Sequence, residues 1–553
     1  MESGNKLAAA DRLITLPEGL PKLTLGWEAL RFAAQYLKHP NGIRAGMRWK
    51  YTPEQARFLL WWYALDEDGQ WLFYHAARRL SKGSGKSPFA AAWALTEFCG
   101  PVRLDTFDPK LPGGCKGKRV DMPLVQIAAT SEKQTANTMR QIRAMAPKGS
   151  LIVREFLLDP GRSQYNMLPE GTLEVITSSA ATAEGAEATA IVADETEHWL
   201  PANGGPELYA TLMDNLTKSG NRMLQTANAP KPGKGAVIDD TYSDWCDQED
   251  GRASTTGQKI LLDARIAPPE TVMEDPDSLR AALEFVYADC EWANIDAQIT
   301  RIQAKSAKKD DSKRKYLNWP TTVANAWADP QQWSKLARPD IEVEPGTRIV
   351  MFFDGSKSRD DTALIGCRID DGHVFTIGIW SPGNSHTDED EGDDETPVID
   401  AEVVDAKVDW AMDTYDVVAF FADVKEWEGF TKVTWPQRYR DRLTLHAVPT
   451  GRSPEPIAWD MRTKDFEFTA AAELVETEIA DAAFTHDGHP KLREHVLNAV
   501  RKDGRFGISI QKKTPNSPEK IDGAVCLIGV RHVRRLVLKV PTVPERSNDA
   551  FFV

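Results

Sequence analysis

The most restrictive feature of this chain is a short loop, Ser81-Lys82-Gly83-Ser84-Gly85-Lys86-Ser87, set between an apolar strand-like run (WLFYHAA) and a helical pattern (SPFAAAWALTEF). A strand that turns through glycines directly into a helix brings backbone N–H groups together. The helix start adds partial positive charge at the same place. The loop is therefore expected to cradle phosphates, with Lys82, Gly83, Ser84 and Gly85 forming the cradle. Lys86 is expected to reach the β- and γ-phosphates of ATP, and the Ser87 hydroxyl to ligate Mg²⁺. Leu80 stands where such a loop usually has its first glycine, and Pro88 falls where a first helical turn tolerates proline.

Around this loop, apolar strands alternate with helical stretches: VQIAAT then SEKQTANTMRQIRAMA, followed by TAIVADE and MLQTAN. That alternation predicts an α/β domain with a parallel sheet covered on both faces, over residues 1–245. The run Thr189–Glu195 ends in two carboxylates. Asp194 is placed to hold the Mg²⁺ shell and Glu195 to polarise an attacking water. Leu224–Asn228 ends in Thr226 and Asn228, which would sense the γ-phosphate. In Thr52-Pro53-Glu54-Gln55, the Gln55 amide could read an adenine edge. His198 and Trp199 read as structural residues.

Residues 246–335 change character. They are helix-rich, carry the charged run AKSAKKDDSKRK and offer no buried-strand run, so they read as a helical linker or subdomain. A second strand programme fills residues 336–553: TRIVMFFDGS, ALIGCRI, HVFTIGIW after the Asp370–Gly372 turn, a helix over about 399–414, then VVAFFADV as a central strand. Three meandering strands, a helix and a further strand are the order of a ribonuclease-H-like fold. Asp354 and Asp423 end two of these strands, and Asp522 opens a helical run. Three such carboxylates can hold two divalent ions, Mg²⁺ or Mn²⁺, about 4 Å apart for phosphodiester cleavage. Asp360 is a candidate fourth carboxylate, ahead of Asp361. RKDGR (501–505), QKK (511–513) and RHVRR (531–535) either line a nucleic-acid path or face solvent.

The net charge of −15 opposes a uniformly basic binding surface, yet part of it sits in one acidic run, Thr387–Glu395, read as a solvated loop. A local basic channel is compatible with an acidic exterior. The six cysteines show no CxxC spacing, which argues against a zinc site or a disulfide framework. No apolar stretch approaches membrane-spanning length, and the N-terminus lacks a signal-peptide pattern. A cytoplasmic protein with no membrane partner is expected.

With these segments placed, the chain resembles the large terminase subunit of tailed bacteriophages. The resemblance rests on TPEQARF, KGSGKS, GAEATAIVADETEHW, QTANA, DGSKSRDDTAL, FFADVKEW and KIDGAV, in family order. The family's loop often lacks the first glycine, so Leu80 and Lys82 match its variant. HDGHPKLREHVLNAV (486–500) looks like the family's approach to its last acidic residue. The resemblance implies a motor that drives double-stranded DNA into a procapsid by ATP hydrolysis, with a nuclease that cuts concatemeric DNA. It implies a homo-oligomeric ring, transiently docked on the procapsid in the host cytoplasm, with portal protein and small terminase subunit as partners. It assigns ATPase roles to Gln55, Lys86, Ser87, Asp194, Glu195, Thr226 and Asn228, and metal roles to Asp354, Asp423 and Asp522. An arginine completing the ATP site is expected among Arg79, Arg140, Arg143 and Arg162. The alternatives are a P-loop translocase or helicase whose C-terminal domain binds nucleic acid without cutting, and a non-catalytic docking component.

Overall fold

The computed structural model describes residues 9–177, 186–219, 221–232, 234–251, 259–319, 325–356, 360–382, 398–448, 454–512 and 519–539. They fall into two compact units, Ala9–Thr321 and a second running from Thr322. Among the described residues no helix is long and apolar enough to cross a membrane.

The first unit is built on β1 (Phe73–Arg79), a separate hairpin of β2 (Arg103–Phe107) and β3 (Cys115–Lys118), then β4 (Leu124–Ala129), β5 (Leu158–Pro160), β6 (Gln164–Met167), β7 (Gly171–Thr177), β8 (Ala190–Ala193), β9 (Arg222–Ala227) and β10 (Lys259–Ala264). One sheet runs β10-β1-β9-β8-β4-β7-β6-β5. From β10 to β7 every neighbour is parallel; β6 and β5 are antiparallel at the far edge. The alternation of strands and helices in the sequence thus reads through to a mixed α/β fold. The helix Lys86–Cys99 is buried at every position from Phe89 to Cys99, which explains why SPFAAAWALTEF is apolar all round rather than on one stripe.

β10 corrects the sequence reading. The segment KILLDA falls in the stretch that reads as strandless and helical, yet it is an edge strand in parallel register with β1. Asp263 on β10 meets Arg78 on β1 at 2.7 Å, both side chains nearly fully buried. The helical stretch that follows, to residue 319, packs in the same compact unit as the loop after β1.

The second unit holds β11 (Arg348–Asp354), β12 (Thr362–Arg368), β13 (Val374–Trp380) and β14 (Asp416–Ala422) in the order β13-β12-β11-β14, with a separate hairpin of β15 (Val500–Gly504) and β16 (Gly507–Gln511). β11, β12 and β13 meander antiparallel, and β14 joins β11 in parallel. That is the expected ribonuclease-H-like order, with one difference: β14 is an edge strand, met by an isolated parallel bridge from Ala422 to Ala458 and by the Thr444 and Leu445 N–H groups at Val418 O. Ile349, Met351 and Phe353 pack into the core containing the helix Ala401–Thr414; Val350 and Phe352 pack into the core containing the helix Asp522–Lys539. Both faces of β11 are therefore covered, which is why IVMFF shows no polar alternation. The acidic run 387–395 lies outside the described residues.

Candidate active sites

The loop after β1 adopts the turn its glycines anticipate. Gly83 and Gly85 take φ of +87° and +81°, in the left-handed region, and Gly85 caps the helix Lys86–Cys99. Its carbonyls are held from outside by the stretch that sequence reasoning set apart. Tyr287 donates its hydroxyl to Lys82 O at 2.6 Å, and Trp292 its indole N–H to Gly83 O at 2.8 Å. Ser84 Oγ is buried without a partner. The loop opens on a cavity of about 760 Å³ lined by Lys82, Gly83, Gly85, Lys86 and Ser87, large enough for a nucleoside triphosphate.

The ends of β8 and β9 reach the same cavity. Lys86 Nζ donates to Leu80 O (2.8 Å), Ser81 O (3.0 Å) and Asn228 Oδ1 (2.8 Å). The residue is half-buried with its ammonium inside. That burial lowers its pKa to about 8, against the opposing pull of Glu197, Asp194 and Glu195. Asp194 is buried and accepts from Thr138 Oγ1 (2.5 Å) and Thr226 Oγ1 (2.6 Å); burial raises its pKa although these bonds favour the ionised form. Glu195, at φ +55°, lines the cavity and accepts from Gln134 Nε2 at 3.2 Å. Trp199 is structural as expected, its indole donating to Asp194 O; His198 is exposed on the cavity rim.

Three features escaped the sequence. Glu197 is buried and accepts from Asn228 Nδ2 at 2.5 Å, so Asn228 bridges it to Lys86. Arg44, rather than Arg79, Arg140, Arg143 or Arg162, lines the cavity and pairs with Glu291. Arg79 is buried over the Tyr242 ring at 3.9 Å, and Arg143 donates to the Arg162 carbonyl, while Arg140 is exposed. Gln55 does line the cavity, but its Oε1 accepts from Thr52 N at 3.2 Å in a capping box. Its Nε2, with two N–H donors, is free of that cap and could address a base.

In the second unit, Asp354 and Asp423 end adjacent parallel strands: Phe353 pairs with Ala422, and Asp423 N donates to Phe353 O at 2.9 Å. Asp522 starts the helix Asp522–Lys539 packed against β11. Burial, then the charges of Asp522, Asp423 and Asp360, push the Asp354 carboxyl well above its ordinary range. Asp522 is raised to about 6, chiefly by burial, and its Oδ2 is buried without a partner. Three crowded carboxylates with an orphaned buried oxygen are a donor set that suits a hard divalent ion. Among the described residues, however, no three His, Cys, Asp or Glu side chains already stand in ligating geometry around one point.

Asp360 is held by Lys512 and by Lys520 Nζ at 3.0 Å; Lys512 is thus the QKK residue that reaches the site. Lys513 lies outside the described residues. In the RHVRR segment the arginines have partners within the unit. Arg531 and Arg535 pair with Glu478, and Arg534 donates to the carbonyls of Arg368 and Ile369. Arg531 and Arg534 tie the helix to the turn after β12, and Arg535 ties it to the helix Asp465–Ala480.

No family model matches the chain. Two curated relatives do: the Gene 13 protein of Mycobacterium phage D29, 36% identical over 92% of this chain and 90% of that one, and the Gene 13 protein of Mycobacterium phage L5, 35% identical over 92% and 91%. Among solved structures, the large terminase of bacteriophage HK97 is similar at 15% identity and a TM-score of 0.43, over 92% of this chain and all of that one. The large terminase of a thermophilic bacteriophage is similar at 10% identity and a TM-score of 0.31, over 88% and 100%. Scores this low carry no functional weight.

Proposed function

The chain belongs to the family of the Gene 13 proteins of Mycobacterium phages D29 and L5, and from that premise we propose that it is the large subunit of a phage DNA-packaging machine, an ATPase joined to a metal-dependent endonuclease. The observation that carries the motor half is the meeting of Lys86, Glu195 and Asn228, from three separated segments, at one cavity of about 760 Å³. Lys86 would hold the terminal phosphates of ATP, Ser87 and Asp194 the Mg²⁺, and Glu195 the attacking water. Thr226 and Asn228 would report loss of the γ-phosphate to β9.

For the nuclease half, Asp354, Asp423 and Asp522 would hold Mg²⁺ or Mn²⁺. Such an ion supplies an activated water and charge stabilisation at the phosphodiester. Double-stranded DNA is the substrate, and portal protein, small terminase subunit and further copies of this chain in a ring on the procapsid, in the host cytoplasm, are the partners this reading requires.

The test uses the full chain. DNA-stimulated ATP hydrolysis should vanish in Lys86→Ala and Glu195→Ala, and Mn²⁺-dependent cutting should vanish in Asp354→Ala with ATP hydrolysis retained. One observation favours a second reading, a translocase whose second unit binds DNA without cutting: the absence, among the described residues, of a ready-made three-ligand cation site. Protein that hydrolyses ATP yet leaves plasmid intact with every divalent ion would decide for it.

A further inference from the structure

His495 sits in the short helix Pro490–Asn498, 1% exposed, between two groups that use its two ring nitrogens differently. Nε2 lies 3.2 Å from Asp361 Oδ2. Nδ1 lies 2.9 Å from the backbone nitrogen of Gly523, which donates its N–H to it. To accept that bond Nδ1 must be bare, so the ring's proton is on Nε2 and points at Asp361. Asp361, also approached by Lys491 Nζ at 3.8 Å, thereby selects one tautomer of a neutral imidazole.

The consequence falls on the neighbouring residue. The first N–H groups of a helix have no partner inside it, and a polar side chain just before the helix usually supplies one. Ile521 precedes Asp522 and cannot. His495 supplies the acceptor from a different helix. The fit is close: a Cβ on Gly523 would stand 3.1 Å from His495 Nδ1. Asp522 Oδ2 has no hydrogen-bond partner, so its position depends on the backbone that carries it.

We infer that Asp361 and His495 form a positioning pair that fixes the first turn of the helix Asp522–Lys539 and so aims the Asp522 carboxylate at a divalent ion. The inference rests on the nuclease reading of Asp354, Asp423 and Asp522. It also changes the standing of the Asp360-Asp361 pair: Asp360 is taken up by two lysines, and Asp361 acts through His495 rather than as a ligand.

Two variants of the full chain separate positioning from bulk. In His495→Asn, the amide oxygen can stand where Nδ1 accepts from Gly523. In His495→Gln, the amide reaches toward Asp361 and leaves Gly523 without its acceptor. Mn²⁺ uptake is read by electron paramagnetic resonance as the increment over Asp522→Ala, beside the melting temperature and the Mn²⁺ dependence of plasmid cutting. The expected result is Mn²⁺ binding weakened about 10- to 100-fold in His495→Gln, the range found when groups that orient a metal ligand are lost. His495→Asn should stay within about threefold of wild type, with similar melting for both. Equal Mn²⁺ binding in the two variants, whether both intact or both impaired, overturns the inference. Wild-type protein that takes up no more Mn²⁺ than Asp522→Ala overturns the nuclease reading itself, and the inference with it.

Discussion

Trp292 donates its indole N–H to the carbonyl of Gly83 at 2.8 Å, and its ring edge lies 2.8 Å from where a Cβ on Gly85 would stand. Tyr287 holds the Lys82 carbonyl in the same way. Carbonyls tied down from outside hold the loop backbone in one conformation beside the cavity. The segment that reads as linker is therefore part of what shapes the phosphate loop.

Two substitutions probe that arrangement. Gly85→Ala would combine left-handed strain, about 1–2 kcal/mol for a residue with a Cβ, with a clash against Trp292; binding of a fluorescent ATP analogue should be lost. Trp292→Phe keeps an aromatic side chain but removes the indole N–H together with the bulk of the second ring. The analogue's affinity should fall about fivefold, the worth of one hydrogen bond of about 1 kcal/mol. Unchanged affinity in Trp292→Phe would mean that the carbonyl tie does not shape the loop.

Lys86 makes nucleotide binding sensitive to pH. Its pKa is lowered to about 8 by burial, and a phosphate beside the ammonium must raise it again. Below about 8 the lysine is already charged and affinity is flat, whereas above that value binding must recruit a proton. Affinity should then fall by up to about tenfold per pH unit. Calorimetry near pH 8.5 in buffers of different ionisation enthalpy should detect proton uptake of up to one per site, absent in Lys86→Arg. The effect on folding has the opposite sense. A lysine with a lowered folded pKa destabilises at neutral pH, and that cost is relieved as pH rises from about 8 toward the ordinary lysine value.

Glu197 feeds the same equilibrium through Asn228, which donates to it at 2.5 Å and accepts from Lys86 at 2.8 Å. Its charge favours the protonated lysine. Glu197→Gln should move the onset of the affinity loss to lower pH and lower kcat. A kcat and pH profile identical to wild type would remove Glu197 from the site.

What the sequence revealed and concealed divides along one physical line. Asp194, Asp354 and Asp423 were legible because each ends its own apolar strand, and parallel strands deliver their C-terminal ends to one edge. The glycine loop was legible because Gly83 and Gly85 sit between a strand and a helix. Trp292, Glu197, Arg44 and His495 have no such local mark. Trp292 meets Gly83 across 209 residues, and His495 meets Gly523 from another helix. For the arginines of RHVRR the sequence left a nucleic-acid path and a solvent face both open, because their partners, Glu478 and the carbonyls after β12, lie far away in the chain.

β10 was hidden for the same reason, and it supports the final prediction. KILLDA is only a short apolar run, and its neighbour β1 lies far back in the chain. Asp263 meets Arg78 at 2.7 Å with both nearly dry, and the Arg78 guanidinium stacks 3.9 Å from the Phe89 ring centre. Asp263→Ala would strand a buried cation and should destabilise the first unit by about 3–5 kcal/mol, whereas replacing both partners with apolar residues of similar size should recover most of the loss. The same reasoning fixes where the unit can be cut. A fragment ending at residue 245 lacks β10 and the Tyr287 and Trp292 ties, and should neither melt cooperatively nor bind nucleotide. A fragment ending at residue 321 keeps all three and should do both. Calorimetry and nucleotide titration of the two fragments decide it: equal behaviour would make β10 dispensable and return the domain boundary to the neighbourhood of residue 245.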